Sequence, residues 1–208
     1  MFLTPFLIID GYKKGIFPMA ESIDDPFIFW VSPEIRGLID LKSFKIPRSL
    51  KKFIKKNPFK IKINKNFTKV IKKCGSLSKK RKDTWINEQI IQGYTRLFED
   101  GLATSIECYD GLDLVGGLYG VQLGKFFFGE SMFSCKPNAS KISLVYLAAY
   151  LKQGGFSFID TQFQTNHLKQ FGAIEIKKDI YMKLLKKNIT KNANMPKTLN
   201  KNVLDYFN

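Results

Sequence analysis

Four short stretches in the second half of the chain decide the predicted fold: Leu114-Val115-Gly116-Gly117-Leu118-Tyr119-Gly120, Phe127-Phe128-Gly129-Glu130-Ser131-Met132-Phe133-Ser134, Asn138-Ala139-Ser140-Lys141 and Ile159-Asp160-Thr161-Gln162. The first, second and fourth contain apolar runs typical of buried strands, and the third opens a helix. Two of the apolar runs lead directly into carboxylate or amide side chains. Polar groups just past the ends of buried strands are typical of a reactive cleft on a rigid sheet.

On either side of these stretches, hydrophobic periodicity and turn residues predict the remaining helices and strands. Helices are expected at residues 2–14, 48–56, 66–73, 86–98, 139–154, 165–171 and 178–187, and strands at 59–63, 103–109, 112–123, 125–129, 156–160 and 173–176. A helix, an antiparallel meander and then alternating helices and strands indicate an α+β fold of the acetyltransferase-like type. We therefore expect a small N-terminal lobe (1–43), a GNAT-like domain (44–190) and a polar, partly disordered tail (191–208).

The positive charge of the chain is concentrated in one segment. The formal net charge is +16, and residues 45–82 contain sixteen Lys or Arg residues and no Asp or Glu. Such a segment favours a nucleic-acid phosphate backbone as partner, although a lysine run can also be a solvated protein face. The candidate phosphate ligands are Lys51, Lys52, Lys55, Lys56, Lys79, Lys80, Arg81 and Lys82.

Composition excludes several classes of protein. No apolar run approaches the roughly 20 residues that span a bilayer, and the apolar start lacks the basic residues of a signal peptide. Cys74, Cys108 and Cys135 form no Cys-x-x-Cys pair, which favours reduced thiols in the cytoplasm. With His167 as the single histidine, we expect no metal site. We also expect no cofactor and a monomeric protein.

Several motifs resemble those of the bacterial leucyl/phenylalanyl-tRNA–protein transferases. They are Gly15-Ile16-Phe17-Pro18-Met19, Trp30-Val31-Ser32-Pro33-Glu34-Ile35-Arg36, Thr84-Trp85-Ile86, the stretches from Gly116 to Gln162, His167-Leu168 and Gly172-Ala173. The resemblance covers most of the chain, and its motifs occur in the family's order and spacing. One departure is Met19, where an aromatic residue is common beside the proline. The resemblance implies the GNAT-like architecture already expected.

The resemblance also implies an activity and its residues. The chain would move Leu or Phe, and possibly Met, from aminoacyl-tRNA to the N-terminal Arg or Lys of a protein and so mark that protein for degradation. Asp160 and Gln162 would be the catalytic pair, and Glu130 would bind the basic residue of the acceptor. Two residues apart on a strand, Asp160 and Gln162 are expected to point the same way. For Asp160 a capping role stays open, and for Glu130 an internal salt bridge.

By the same resemblance, an apolar pocket would select the aminoacyl side chain. Its expected residues are Leu118, Phe127, Gly129, Met132, Leu147, Leu151 and Ile159, with Trp30 and Trp85 flanking the terminal adenosine. Any of these apolar side chains can equally belong to the core.

Two other functions stay open at the level of sequence. A CoA-dependent N-acyltransferase is one. However, the connection Ser134-Cys135-Lys136-Pro137-Asn138 lacks the glycines that would cradle a pyrophosphate, which argues against CoA. A non-catalytic tRNA-binding module is the other alternative.

Overall fold

The fold is described from a computed structural model in which residues 3–77 and 82–207 are placed. The predicted RNA ligands Lys79, Lys80 and Arg81 lie outside these described residues. The helices are α1 (Pro5–Lys13), α2 (Arg48–Lys55), α3 (Phe67–Cys74), α4 (Glu88–Glu99), α5 (Ala139–Gln153), α6 (Asn166–Lys169) and α7 (Lys178–Asn188). The strands are β1 (Phe17–Met19), β2 (Phe29–Val31), β3 (Ile35–Asp40), β4 (Lys60–Ile63), β5 (Ala103–Asp110), β6 (Asp113–Leu123), β7 (Phe126–Ser134), β8 (Phe158–Gln162) and β9 (Ile174–Lys177).

Seven of the strands form one mixed sheet in the order β4-β5-β6-β7-β8-β3-β9. All neighbours are antiparallel except β7 and β8, which run parallel because α5 crosses between them. β1 and β2 pair separately as a two-stranded sheet. The predicted α+β class is therefore confirmed, with a seven-stranded mixed sheet at its centre.

Both faces of the large sheet are covered by helices. On one face α1, α3, α4 and α7 bury an apolar cluster that includes Tyr12, Phe67, Tyr94 and Tyr181. On the other face α2 and α5 bury a second cluster. α5 is the most completely buried helix of this layer, which explains its apolar sequence on nearly every side.

β3 was not predicted from the sequence. Ile35–Asp40 is inserted in the large sheet between β8 and β9, with four consecutive buried residues. The expected boundary at residue 43 therefore falls after a strand of the larger domain. Arg36 and Gly37 interrupt the apolar run, so the sequence pattern did not indicate a strand here. An arginine is rarely buried without a partner, and no partner is apparent from the local sequence.

The C-terminal tail is the segment expected to be polar and partly disordered. It follows α7 and ends in a 3-10 helix, Val203–Phe207, whose Val203 is buried in the cluster beneath α5. Asn194 N–H donates to the Gly154 carbonyl over 3.1 Å, and Lys152 Nζ donates to the Tyr206 carbonyl over 2.9 Å. The buried side chain of Val203 and these two hydrogen bonds attach the tail to the rest of the domain.

No helix among residues 3–77 and 82–207 is both long and apolar enough to cross a membrane.

Candidate active site

The candidate site lies where β7 and β8 separate. The two strands pair over only three positions, from Phe126↔Phe158 to Phe128↔Asp160, and β7 then continues alongside β6 alone. A cavity of about 300 Å³ opens beyond this point. Splayed strands thus create a hollow on a rigid sheet, as expected for a ligand site.

Most of the predicted pocket residues line this cavity. The structure brings together Trp85, Leu118, Gly129, Met132, Leu147 and Ile159, and with them Glu130 and Gln162. Apolar side chains from β6, β7, β8 and α5 therefore share one cavity with a carboxylate and an amide.

Three predicted substrate-binding residues do not line the cavity. Phe127 and Leu151 have no exposed surface and belong to the core beneath α5. Trp30 lies opposite Pro18 in the small sheet and packs against Gly11 of α1, where a side chain at position 11 would come within 2.1 Å of the indole. Met19, the residue that departs from the family pattern, lines the cavity with Trp85.

A β-bulge positions Glu130. The register between β6 and β7 shifts from Tyr119↔Ser131 to Gly120↔Gly129, which leaves Glu130 as the extra residue. Gly120 makes this possible, since an added Cβ would lie 2.2 Å from the Phe128 carbonyl oxygen. Such bulges redirect a side chain, and here the redirected carboxylate reaches the cavity.

Two tyrosines hold the Glu130 carboxylate. Tyr12 OH donates to Oε1 over 2.7 Å, and Tyr94 OH donates to Oε2 over 2.9 Å. Burial raises the pKa of Glu130 to about 7, although the hydrogen bonds from both tyrosines oppose the rise. The carboxyl group therefore titrates near neutral pH at the cavity.

Asp160 lies behind the cavity wall in a buried ion pair with Arg36. Its Oδ2 accepts a 2.8 Å bond from Arg36 Nη2 and a 2.6 Å bond from Tyr181 OH, and both charged side chains are essentially inaccessible. Burial opposes the charge on Arg36, but Asp160 keeps the pKa of that guanidinium above its ordinary value. Arg36 also donates to the Gly15 carbonyl over 3.3 Å, so it joins the N-terminal lobe to the large sheet.

Gln162 does not point the same way as Asp160, contrary to the expectation from strand geometry. Its φ is +55°, in the left-handed region, and the β3–β8 register shifts at this point. Asp160 Oδ1 accepts the Gln162 N–H over 2.8 Å, while Gln162 Nε2 donates to Glu130 Oε1 over 3.1 Å. Gln162 therefore bridges the two carboxylates, one through its backbone and one through its side chain.

Sequence reasoning missed other residues of the lining. The N-terminal lobe contributes Phe17 and Met19, and α6 contributes His167. Burial and the nearby Lys141 lower the pKa of His167, so the imidazole is neutral at pH 7. Phe17 and Met19 belong to the motif Gly15-Ile16-Phe17-Pro18-Met19, which resembles the family. That motif was the sequence signal that could have identified these two residues as part of the site.

Within the basic segment (residues 45–82), the described residues 45–77 contain α2, α3 and β4, and β4 is an edge strand of the large sheet. α2 and α3 cover opposite faces of the sheet beside this strand, burying Leu50 and Ile54 on one face and Val70 and Ile71 on the other. Lys52, Lys55, Lys56 and Lys82 are exposed, and Lys51 is half-buried. None of the four salt bridges found between described residues involves this segment.

A mixed α+β domain whose sheet opens into an apolar cavity beside Glu130 and Gln162 has the arrangement of an enzyme active site. The comparisons with known proteins define it further. The leucyl/phenylalanyl-tRNA protein transferase profile matches residues 38–186, and the profile of that family's N-terminal domain matches residues 1–34. The chain belongs to the leucyl/phenylalanyl-tRNA protein transferase family, which confirms the resemblance found in the sequence.

Curated relatives agree. The leucyl/phenylalanyl-tRNA–protein transferase of Rhodospirillum rubrum is 46% identical over 179 residues, covering 86% of this chain and 84% of the relative. The same-named protein of Paramagnetospirillum magneticum is 49% identical over 179 residues, covering 86% of each. Among solved structures, L-PGS from Bacillus licheniformis is similar at 12% identity with a TM-score of 0.39, covering 94% of this chain and 60% of that one.

Proposed function

We propose that the chain transfers Leu or Phe from aminoacyl-tRNA to the N-terminal Arg or Lys of acceptor proteins and that this product marks them for degradation. The observation that carries the proposal is the single cavity that joins an apolar lining to the Glu130 carboxylate and the Gln162 amide. Family membership supports the reaction, and the cavity supports its location. At about 300 Å³, the cavity suits one aminoacyl group.

The apolar part of the cavity holds the aminoacyl side chain. Leu118, Met132 and Leu147 offer dispersion contacts and no charge. The thioether of Met132 adapts to both branched and planar groups, which suits Leu, Phe and possibly Met. Trp85 stacks on the terminal adenosine, a contact worth roughly 1–3 kcal/mol.

Glu130 binds the cationic side chain of the acceptor's first residue. Tyr12 and Tyr94 fix the carboxylate, and an incoming Arg or Lys compensates its desolvation. Ionised Glu130 is the binding form, so a cation at this site lowers the pKa of the carboxyl group from its value in the free enzyme.

Gln162 orients the attacking amine, and Asp160 acts through Gln162. Because the Asp160 oxygens are bound by Arg36, Tyr181 and the Gln162 N–H, this carboxylate is a positioning residue. The neutral α-amino nitrogen attacks the ester carbonyl carbon, the new C–N bond forms and the ester C–O bond breaks. The amine proton passes to the leaving ribose oxygen through the neighbouring hydroxyl, since an amide is too weak a base to hold it.

The region around the start of α5 gives little support to a CoA-dependent reaction. Ser134 Oγ already accepts the Ser140 N–H over 3.2 Å, and the Lys136 carbonyl accepts the Ala139 N–H over 3.2 Å. These donors would otherwise be available to a pyrophosphate. Activated acyl groups on tRNA also account for the concentration of lysines in the basic segment.

The finer structural and cellular expectations belong to the same proposal. The parallel, splayed β7–β8 pair and the crossing helix α5 support a GNAT-like domain. Free thiols at Cys108 and Cys135 support the reducing cytoplasm. We expect a monomer, which size-exclusion chromatography with light scattering measures.

The direct test is to mix the purified protein with radiolabelled leucyl-tRNA and a peptide that begins with Arg. Label is expected on the first position of the product, and an otherwise identical peptide beginning with Ser is the matched acceptor control. Pretreating the donor with RNase should remove the transfer. Equal labelling of both peptides, or transfer from leucyl-CoA, would contradict the proposal.

A further inference from the structure

The N-terminal lobe carries an exposed surface of aromatic and acidic side chains beside the cavity. We call it the acidic–aromatic surface, and it comprises Glu21, Ile23, Asp24, Phe27 and Phe29. Phe27 is 77% exposed, Phe29 is 47% exposed and Ile23 is 38% exposed, while Glu21 and Asp24 are also exposed. Grouped exposed apolar side chains commonly mark an interaction site.

Strand register connects this surface to the cavity. Met19 pairs directly with Phe29 in the small antiparallel sheet, and residues that face each other in such a pair project from the same side. Met19 lines the cavity. The exposed ring of Phe29 therefore continues the cavity wall outward toward the loop that carries Glu21, Asp24 and Phe27.

The loop between β1 and β2 is fixed in place. Ile23 N–H donates to Asp83 Oδ1 over 3.0 Å, and Asn87 Nδ2 donates to the Asp25 carbonyl over 2.7 Å. Asp25 Oδ1 in turn accepts the Phe27 N–H over 2.8 Å. These bonds hold the surface against the start of α4 and so present its side chains in a defined arrangement.

The charge of the surface identifies its occupant. Residues 15–33 contain Glu21, Asp24 and Asp25 and no Lys or Arg, in a chain whose formal net charge is +16. Carboxylates repel phosphates, which the basic segment at the β4 edge attracts instead. Carboxylates beside exposed aromatic rings favour cationic side chains, through charge and through cation–π contact.

We propose that the acidic–aromatic surface docks the segment of the acceptor polypeptide that follows its first residue, and that it favours basic side chains in that segment. The inference rests on the proposed function and adds a second specificity element to it. An extended chain advances about 3.4 Å per residue. With its first residue at Glu130, its following residues leave the cavity past Met19 and Phe29.

The test compares two acceptors that share the first residue: Arg-Ala-Lys-Lys-Ala-Lys and Arg-Ala-Glu-Glu-Ala-Glu. For the wild type, kcat/KM is expected to be about fivefold higher for the basic peptide, the scale of a few exposed charge pairs. Glu21→Lys with Asp24→Lys should remove or reverse this preference. Arginine amide, which lacks the docked segment, should react equally well with both proteins.

A matched control has the same change of formal charge elsewhere. Glu175→Lys with Asp179→Lys alters exposed residues of β9 and the start of α7, and it should keep the wild-type preference. Phe29→Ala should raise the KM of both hexapeptides about threefold, since it removes a contact surface without changing charge. Thermal melts establish that each variant is folded.

The outcomes separate this inference from the proposed function. Wild-type transfer with no preference between the peptides overturns the docking surface alone, as does an equal loss of preference in the control. A changed KM for aminoacyl-tRNA with an unchanged peptide preference also overturns it and assigns the surface to RNA. Failure of the wild type to transfer to any acceptor, arginine amide included, instead overturns the proposed function.

Discussion

At the scale of single residues, Gln162 has the backbone conformation that ordinary side chains avoid. A non-glycine residue at φ +55° costs of order 1–3 kcal/mol and persists when its surroundings compensate. The compensation here is the bond from the Gln162 N–H to a carboxylate that Arg36 and Tyr181 already hold. Strain at this position accordingly supports a role for the side chain in transfer.

Gln162→Gly and Gln162→Ala separate strain from chemistry. Gly adopts a positive φ without strain, so the free energy of unfolding of the Gly variant should be about 1 kcal/mol higher than that of the Ala variant. Both lack the amide and should lose transfer by about a hundredfold, as expected when the amine is no longer oriented. Urea unfolding and single-turnover transfer measure the two effects. Full activity in either variant would contradict the role of the amide.

Glu130 is expected to make transfer depend on pH. Its carboxyl pKa in the free enzyme is raised to about 7 by burial, and we propose that the ionised form binds the cationic acceptor. Acceptor kcat/KM should therefore rise with pH through about 7 as the group loses its proton, in addition to the titration of the acceptor's own amine. Glu130→Gln should lack this component of the profile and show a much lower kcat/KM throughout.

Tyr12→Phe is the control for this assignment. The Tyr12 hydroxyl lowers the pKa of Glu130 through its hydrogen bond, so its removal should shift the acidic side of the profile to higher pH. A profile that is the same in the wild type, Tyr12→Phe and Glu130→Gln would assign the titration to another group.

At the scale of elements, the bulge at Glu130 requires Gly120. Gly120→Ala forces its Cβ against the Phe128 carbonyl and should lower the free energy of unfolding by about 2 kcal/mol, the usual cost of overpacking. The displaced carboxylate should also weaken acceptor binding. Gly129→Ala is the matched control, because its Cβ would make an ordinary 3.5 Å contact with the Asp160 carbonyl and should cost less than about 1 kcal/mol.

Strand and helix periodicity predicted most elements, including α4, α5 and the meander from β5 to β7. It failed for β3, because Arg36 is buried by pairing with a residue 124 positions away, which no local pattern reveals. It also failed for the relative orientation of Asp160 and Gln162. Alternation along a strand holds only for regular pairing, and the bulges depend on neighbouring strands. Six predicted pocket residues line the cavity, whereas Trp30, Phe127 and Leu151 do not, and the orientations of Asp160 and Gln162 were not predictable.

At the scale of the whole molecule, charge is divided between two regions. Residues 45–77 of the basic segment lie at the β4 edge, and the acidic–aromatic surface lies on the N-terminal lobe. Replacing Lys51, Lys52, Lys55 and Lys56 with Gln should weaken tRNA binding and reduce the slope of log Kd against log salt, because fewer counterions are released. Filter binding over a range of salt concentrations measures both quantities.

Four lysines of β9 and α7 provide the control for that measurement. Lys177, Lys183, Lys186 and Lys187 are exposed, and their replacement by Gln changes net charge by the same amount. The salt slope should remain close to that of the wild type. An equal reduction in both variants would mean that overall charge, and not the basic segment, governs binding.

We propose above that the aminoacyl side chain occupies the cavity between β7 and β8. The most direct measurement is the ratio of kcat/KM for leucyl-tRNA to that for phenylalanyl-tRNA in the wild type and in Leu147→Phe, which narrows the cavity from α5. We expect phenylalanyl transfer to fall about tenfold more than leucyl transfer, with tRNA binding unchanged. An unchanged ratio in a folded variant would contradict it.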